Sequence, residues 1–122
     1  MPQKILVVDD EPVVATLLKN RVESRGFKVE TASEGISALE KAKVWRPDLI
    51  LLDIVMPNMD GFEVCRRLKA AKETAHIPVV LFTASQEVKL EELARKAGAA
   101  RLIKKPFVDK VFEAISEILG PE

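Results

Sequence analysis

The chain has 122 residues, 48% hydrophobic and 31% charged, the size and balance of one globular domain that buries roughly two-thirds of its unfolded surface. Lys plus Arg and Asp plus Glu each total 19, and a formal net charge of zero speaks against a nucleic-acid module, which carries a basic excess or stripe. Cys65 is the only cysteine, so an internal disulfide is excluded and a reducing compartment is implied; with no secretory leader before Asp9 and no apolar run near the ~20 residues of a membrane helix, the expectation is a single cytoplasmic domain over residues 1–122 with no membrane partner.

Ile5-Leu6-Val7-Val8 reads as a strand buried on both faces, and it ends in acid: Asp9-Asp10-Glu11. Pro12 suits the first turn of a helix, where its missing N–H is no loss. Val14, Leu17, Leu18 and Val22 follow at helical spacing, with Gly26 as the stop. Phe27 to Thr31 alternates apolar with polar, which places this strand at a sheet edge. Ser33 is the expected cap of a second helix whose stripe is Ile36, Leu39 and Ala42. Trp45 is expected to anchor its end, partly buried.

Leu49-Ile50-Leu51-Leu52-Asp53 is the run around which the chain is organised. It has the character of a central parallel strand, and it too stops on a carboxylate before the turn residues Met56-Pro57-Asn58-Met59-Asp60-Gly61. A third helix carries Val64, Cys65 and Leu68, with Cys65 read as packing. The stretch Lys69 to Lys72 reads as a solvated helix end, and His76 as a surface residue without a second ligand at metal spacing. Pro78 to Thr83 is another buried run, opening with proline at its allowed first position. Leu90, Leu93, Ala94 and Ala97 form the fourth stripe, closed by Gly98. A weaker strand from Ala99 to Ile103 is interrupted by Arg101, and Val111, Phe112, Ile115, Ile118 and Leu119 form the last helix.

Strands alternating with helices imply a parallel sheet covered on both faces. The expected class is therefore α/β, doubly wound and flavodoxin-like. The three fully apolar runs belong in the centre, and right-handed crossovers then favour the strand order 2-1-3-4-5. In that arrangement the carboxyl ends of the strands share one rim, where open α/β sheets keep their ligands. Asp9 and Asp10, Asp53, Thr83 and Lys105 all fall there. Two carboxylates ~5 Å apart repel by roughly 3 kcal/mol at an effective dielectric of 20, so the cluster calls for a cation. An all-oxygen donor set with open positions suits Mg²⁺, with Mn²⁺ as a plausible substitute, better than zinc.

The ordered set Val7-Val8-Asp9-Asp10-Glu11, Asp53-Ile54-Val55-Met56-Pro57 with Asp60-Gly61, Thr83-Ala84 and Lys104-Lys105-Pro106-Phe107 resembles the receiver domain of two-component response regulators. The likeness runs the length of the chain, and five separated matches in order are far more specific than any one of them. The resemblance implies a phosphorylation-activated switch, not an enzyme with an external substrate. Asp53 would accept a phosphoryl group from the phosphohistidine of a sensor histidine kinase or phosphotransfer protein. Asp9, Asp10, Asp53 and the backbone carbonyl of Val55 would hold Mg²⁺, Asp9 mainly through water. Lys105 would hold a phosphoryl oxygen, and Thr83 would swing its hydroxyl toward the phosphate. Lys105-Pro106 resembles the family's cis peptide. A downstream protein would read the face built from the fourth helix, fifth strand and fifth helix.

Two positions depart from the common pattern. Leu102 stands where the family often has an aromatic switch residue, and Val55 and Ser85 occupy the variable positions that modulate dephosphorylation. Two other classes compete. A haloacid-dehalogenase-type phosphohydrolase wants a second acid two residues beyond its nucleophile, where Val55 stands. A flavodoxin-like cofactor binder wants a Ser/Thr/Gly-rich phosphate loop where Asp9-Asp10-Glu11 would repel the anion.

Overall fold

The computed structural model describes residues 2–84, 88–105 and 108–120. Five strands, β1 (Lys4–Val8), β2 (Lys28–Ala32), β3 (Leu49–Asp53), β4 (Val79–Thr83) and β5 (Arg101–Lys104), form one parallel sheet in the order β2-β1-β3-β4-β5. Every residue of β3 and β4 is buried, as their unbroken apolar runs require. The edge strand β2 buries only Val29 and Ala32, and β5 only Ile103. Ser85 and the Lys105–Pro106 peptide, with its expected cis geometry, lie outside the described residues.

Alternation along each strand divides the core in two. Leu6, Val8, Ile50, Leu52, Val79 and Leu81 face the helices α2 (Gly35–Trp45), α3 (Gly61–Ala70) and α4 (Leu90–Ala97). Ile5, Val7, Leu49, Leu51, Val80 and Phe82 face α1 (Pro12–Glu23) and α5 (Val108–Leu119). Pro12 stands at the start of α1, and Gly98, at φ 91°, closes α4.

Most of the expected stripe residues are buried, Leu18, Val22, Ala42, Leu68, Leu90, Ala94, Val111 and Ile115 among them, but three are exposed. On α1 the buried residues are Ala15, Leu18 and Val22, while Leu17 is half exposed. On α2 they are Gly35, Ala38 and Ala42, whereas Ile36 points outward. Leu93 of α4 is likewise exposed. On α2 the cause is close packing: the small residues Gly35, Ala38 and Ala42 face the neighbouring layer, and Ile36 is displaced to the flank. At Gly35 a β-carbon would lie 2.9 Å from Val64 Cγ2, so no larger side chain fits there without a shift. The cap of α2 is Glu34 rather than Ser33, and Glu34 makes no side-chain capping bond. α3 has an Asx cap: Asp60 Oδ1 accepts from the Glu63 N–H at 2.9 Å.

Several side chains take the roles the sequence suggests. Cys65 is fully buried between α3 and α4, and its thiol donates to the Ala97 carbonyl at 3.3 Å. Trp45 is partly buried, with the Lys4 ammonium 5.5 Å from its ring centroid, and His76 is exposed. Lys69 is not the solvated helix end expected: its ammonium donates to the Ala75 and Ile77 carbonyls and ties α3 to the loop before β4. Burial there lowers its pKa.

Candidate functional site

The site lies at the carboxyl edge of the sheet, where β1, β3, β4 and β5 end side by side. Register brings the ends together: Val8 pairs with Leu52, Asp53 with Phe82, and Thr83 with Lys104. Asp9 and Asp10 follow β1 directly, Asp53 is the last residue of β3, Thr83 the last of β4, and Lys105 follows β5. Asp9 is 2% exposed, Asp53 5% and Thr83 0%.

Asp9, Asp10 and Asp53 each present a carboxylate oxygen within 4.8 Å of the others. The Lys105 ammonium donates to Asp9 Oδ2 at 3.0 Å and stands 3.6 Å from Asp53 Oδ2. The second oxygen of Asp9 accepts from the Glu11 N–H at 2.9 Å, which fixes the carboxylate at the helix entrance. Asp53 Oδ1 accepts a long bond, 3.4 Å, from the Val55 N–H, and the Val55 side chain stands out in solvent. Lys105 is tethered at its backbone, where its N–H donates to the Thr83 carbonyl at 2.7 Å.

The Asp53 carboxyl is raised to about 6: burial, helped by the charges of Asp9 and Asp10, outweighs the pull of Lys105 and the Val55 N–H in the other direction. Burial alone would lower the Lys105 pKa, but its hydrogen bond to Asp9 and the charges of Asp53, Asp9 and Glu11 outweigh this and hold it above its ordinary value. Three carboxylates against one ammonium leave an excess of negative charge when all are ionised. A hard divalent cation fits such a donor set: it contains only oxygens, and each acid offers one of them toward the same volume.

Gly61 holds the loop after β3 against the site. Its N–H donates to the Ile54 carbonyl at 2.8 Å, and a β-carbon at Gly61 would lie 2.4 Å from the Asp53 carbonyl oxygen. In the sequence Gly61 stands out as a turn residue and as part of the family-like Asp60-Gly61 pair; in the structure its lack of a side chain sets how closely α3 approaches Asp53. Sequence reading takes Phe82 as one more apolar strand residue, yet the Lys105 ammonium lies over the Phe82 ring, 5.4 Å from its centroid.

Residues 5–116 match the family model described as the response regulator receiver domain. Over 107 residues the chain is 44% identical to the alkaline phosphatase synthesis transcriptional regulatory protein PhoP of Bacillus subtilis, covering 88% of this chain and 44% of that protein. It is 36% identical over 121 residues to the polar-differentiation response regulator DivK of Brucella anthropi, covering 98% of each. The chain thus spans about half the length of several curated relatives it matches and nearly the whole length of another. Among solved structures, the receiver domain of a sensor histidine kinase from Pseudomonas aeruginosa, with a magnesium ion coordinated in its active-site cleft, superposes with a TM-score of 0.89 at 29% identity, covering 98% of this chain and 99% of that one.

Proposed function

The chain belongs to the response regulator receiver domain family of phosphorylation-dependent signalling modules, and from that premise we propose that Asp53 is its phosphoacceptor and residues 1–122 form a single receiver unit. The observation that supports this most directly is the Lys105 ammonium standing between Asp9 and Asp53 at the mouth of a three-carboxylate cluster. A carboxylate oxygen of Asp53 attacks the phosphorus of a phosphohistidine, carried by a sensor histidine kinase or a phosphotransfer protein. The P–N bond breaks, the imidazole nitrogen keeps the electron pair, and an acyl phosphate remains on Asp53. Lys105 holds a phosphoryl oxygen as a compact positive charge.

Asp9, Asp10, Asp53 and the Val55 carbonyl are the residues that would hold Mg²⁺, and Mn²⁺ shares the same donor preference. Bound there, the ion supplies neutralisation of the charge on the phosphoryl oxygens. Asp53, at about 6, is already mostly ionised at neutral pH and so is available as a nucleophile. Thr83 ends β4 beside Lys104, where a shift of its hydroxyl toward new charge at Asp53 draws on Ala84, the next residue. The output face is the one built from α4, β5 and α5, recognised by a downstream protein and not by nucleic acid, in the cytoplasm.

Incubation with acetyl phosphate and Mg²⁺, read by intact mass, tests the reading. One added phosphate, labile to base and absent from Asp53→Asn, is expected. Continuous turnover without accumulation would indicate a phosphohydrolase, and undiminished incorporation in Asp53→Asn would move the nucleophile elsewhere.

A further inference from the structure

Lys105 works at the end of a flexible four-carbon stem, so something must fix where its ammonium stands. Its described partners are of two kinds. Asp9 and Asp53 hold it by charge, at 3.0 and 3.6 Å. The Phe82 ring lies beneath it, 5.4 Å from centroid to nitrogen, within the ~6 Å range over which an aromatic face attracts a cation.

These partners do not behave alike when the site is loaded. Asp9 and Asp53 belong to the acid cluster, and a divalent cation competes with the ammonium for their oxygens. The ring offers no ligand atom to a hard cation and so stays available. It is also held by packing. Phe82 is 3% exposed, lies in register between Asp53 and Ile103, and packs in the core with Val80, Ile103, Val111 and Phe112. The backbone of Lys105 is bonded to Thr83, the residue next to Phe82, so stem and ammonium are both anchored on the end of β4. An apolar ring on that side also excludes water from the ammonium, whose side chain is only 15% exposed.

We propose that Phe82 is a positioning residue for Lys105: its ring is a fixed, uncharged seat that keeps the ammonium at the phosphoryl position when Asp9 and Asp53 turn their oxygens to a divalent cation. The proposal rests on the roles given above to Asp53 and Lys105. A leucine at this position would fill the strand but would not seat the charge.

Two replacements separate ring electronics from packing. Phe82→Leu removes the ring, and 3,4,5-trifluorophenylalanine at position 82 keeps its shape while withdrawing the electron density that attracts the cation. The first readout needs no phosphate: the ring should shift the Lys105 ε-methylene protons upfield in the NMR spectrum of the metal-free protein. That shift should persist through saturation with Mg²⁺ and vanish in Phe82→Leu. The second is phosphorylation by acetyl phosphate, expected to slow by about three- to thirty-fold in Phe82→Leu and in the same direction in the trifluoro protein. Mg²⁺ affinity should change by less than about two-fold in both, because neither replacement touches a carboxylate. Loss of the upfield shift on Mg²⁺ binding, or wild-type phosphorylation rates in the trifluoro protein, would overturn the proposal. If the wild type takes up no phosphate at all, the phosphoacceptor reading falls instead, while the methylene shift still decides whether Phe82 seats Lys105.

Discussion

Replacing Asp53 by asparagine should make the metal-free protein more stable, and the gain should depend on pH in a way that identifies its cause. Asp53 has an ordinary value of 3.8 and is raised to about 6 in the fold, mainly by burial. Because the folded state holds the proton more tightly than the unfolded chain does, this group costs nothing at low pH. Stability is lost as pH rises from about 4, where the unfolded chain ionises, to about 6, where the folded protein follows. Above that the penalty is constant. A difference of about two pKa units corresponds to about 3 kcal/mol. The figure is net of the attraction to Lys105 at 3.6 Å, and at 5% exposure Asp53 has little solvent to screen it. Asparagine keeps an oxygen for the Val55 N–H but orients its amide imperfectly among acids, which returns about 1 kcal/mol.

The expected gain is therefore about 1–3 kcal/mol near pH 8, or roughly 3–12 °C in melting temperature for a chain of this size. Near pH 4 the same linkage leaves at most about 0.5 kcal/mol. Urea melts of both proteins in chelator at the two pH values measure the difference directly, and effects of other titrating groups largely cancel. A variant no more stable than wild type near pH 8, or a gap of equal size near pH 4, would refute the argument that burial of a charged Asp53 is the source.

Mg²⁺ should raise the melting temperature of the wild type by mass action, by about 2.7 kcal/mol of stability at a hundredfold excess over its dissociation constant; Asp10→Asn should lose most of that dependence, and a wild-type curve indifferent to millimolar Mg²⁺ would remove the cation from the account. Val55 presents an exposed aliphatic side chain two residues beyond Asp53, unable to align a water by hydrogen bonding, so the aspartyl phosphate should be long-lived. Val55→Asn should shorten its lifetime in a phosphate-release assay, and loss of the wild-type phosphate within seconds would contradict this. Leu102 is only partly buried, packing against the α2–α4 core, so Leu102→Ala should cost about 2 kcal/mol, the low end for a core truncation. Beryllofluoride-induced NMR shifts around Thr83 and at Leu90 should survive that change, and their disappearance from a folded Leu102→Ala would make Leu102 part of the switch.

The features legible in the sequence are those carried by local pattern. An unbroken apolar run such as Leu49 to Leu52 reads as a strand covered on both faces, and three such runs with two weaker ones, joined by right-handed crossovers, favour the sheet order found. The acids are legible because each stands immediately after such a run. The illegible features depend on who the neighbour is. Periodicity counts Leu17 and Ile36 as core because they are large and apolar, yet the layer spacing admits Ala15, Gly35 and Ala38 in their place. Lys69 reads as a solvated charge because nothing nearby in the sequence reveals that the carbonyls of Ala75 and Ile77 lie within its reach. Thr74, buried with its hydroxyl donating to the Leu68 carbonyl at 2.7 Å, escapes notice for the same reason.

That division also bears on how a change of charge at Asp53 can become a movement. The sheet beneath the site does not yield, since β3 and β4 are buried along their whole length and packed on both sides. Asp53 is held at its backbone by register with Phe82 and Asp9 by its N–H to the Ala32 carbonyl, and Gly61 leaves no slack between α3 and the Asp53 carbonyl. Charge added at Asp53 therefore cannot be absorbed by moving the strand that carries it. It must be met by groups at the ends of neighbouring strands, where the chain leaves the sheet: Lys105 after β5 and Thr83 at the end of β4. If Lys105 is seated on the Phe82 ring, it too is fixed. The displacement would then fall on Thr83, at the end of the strand that α4 of the proposed output face follows in chain order. A rigid acceptor and a rigid lysine are thus what would force the response outward through a single strand end.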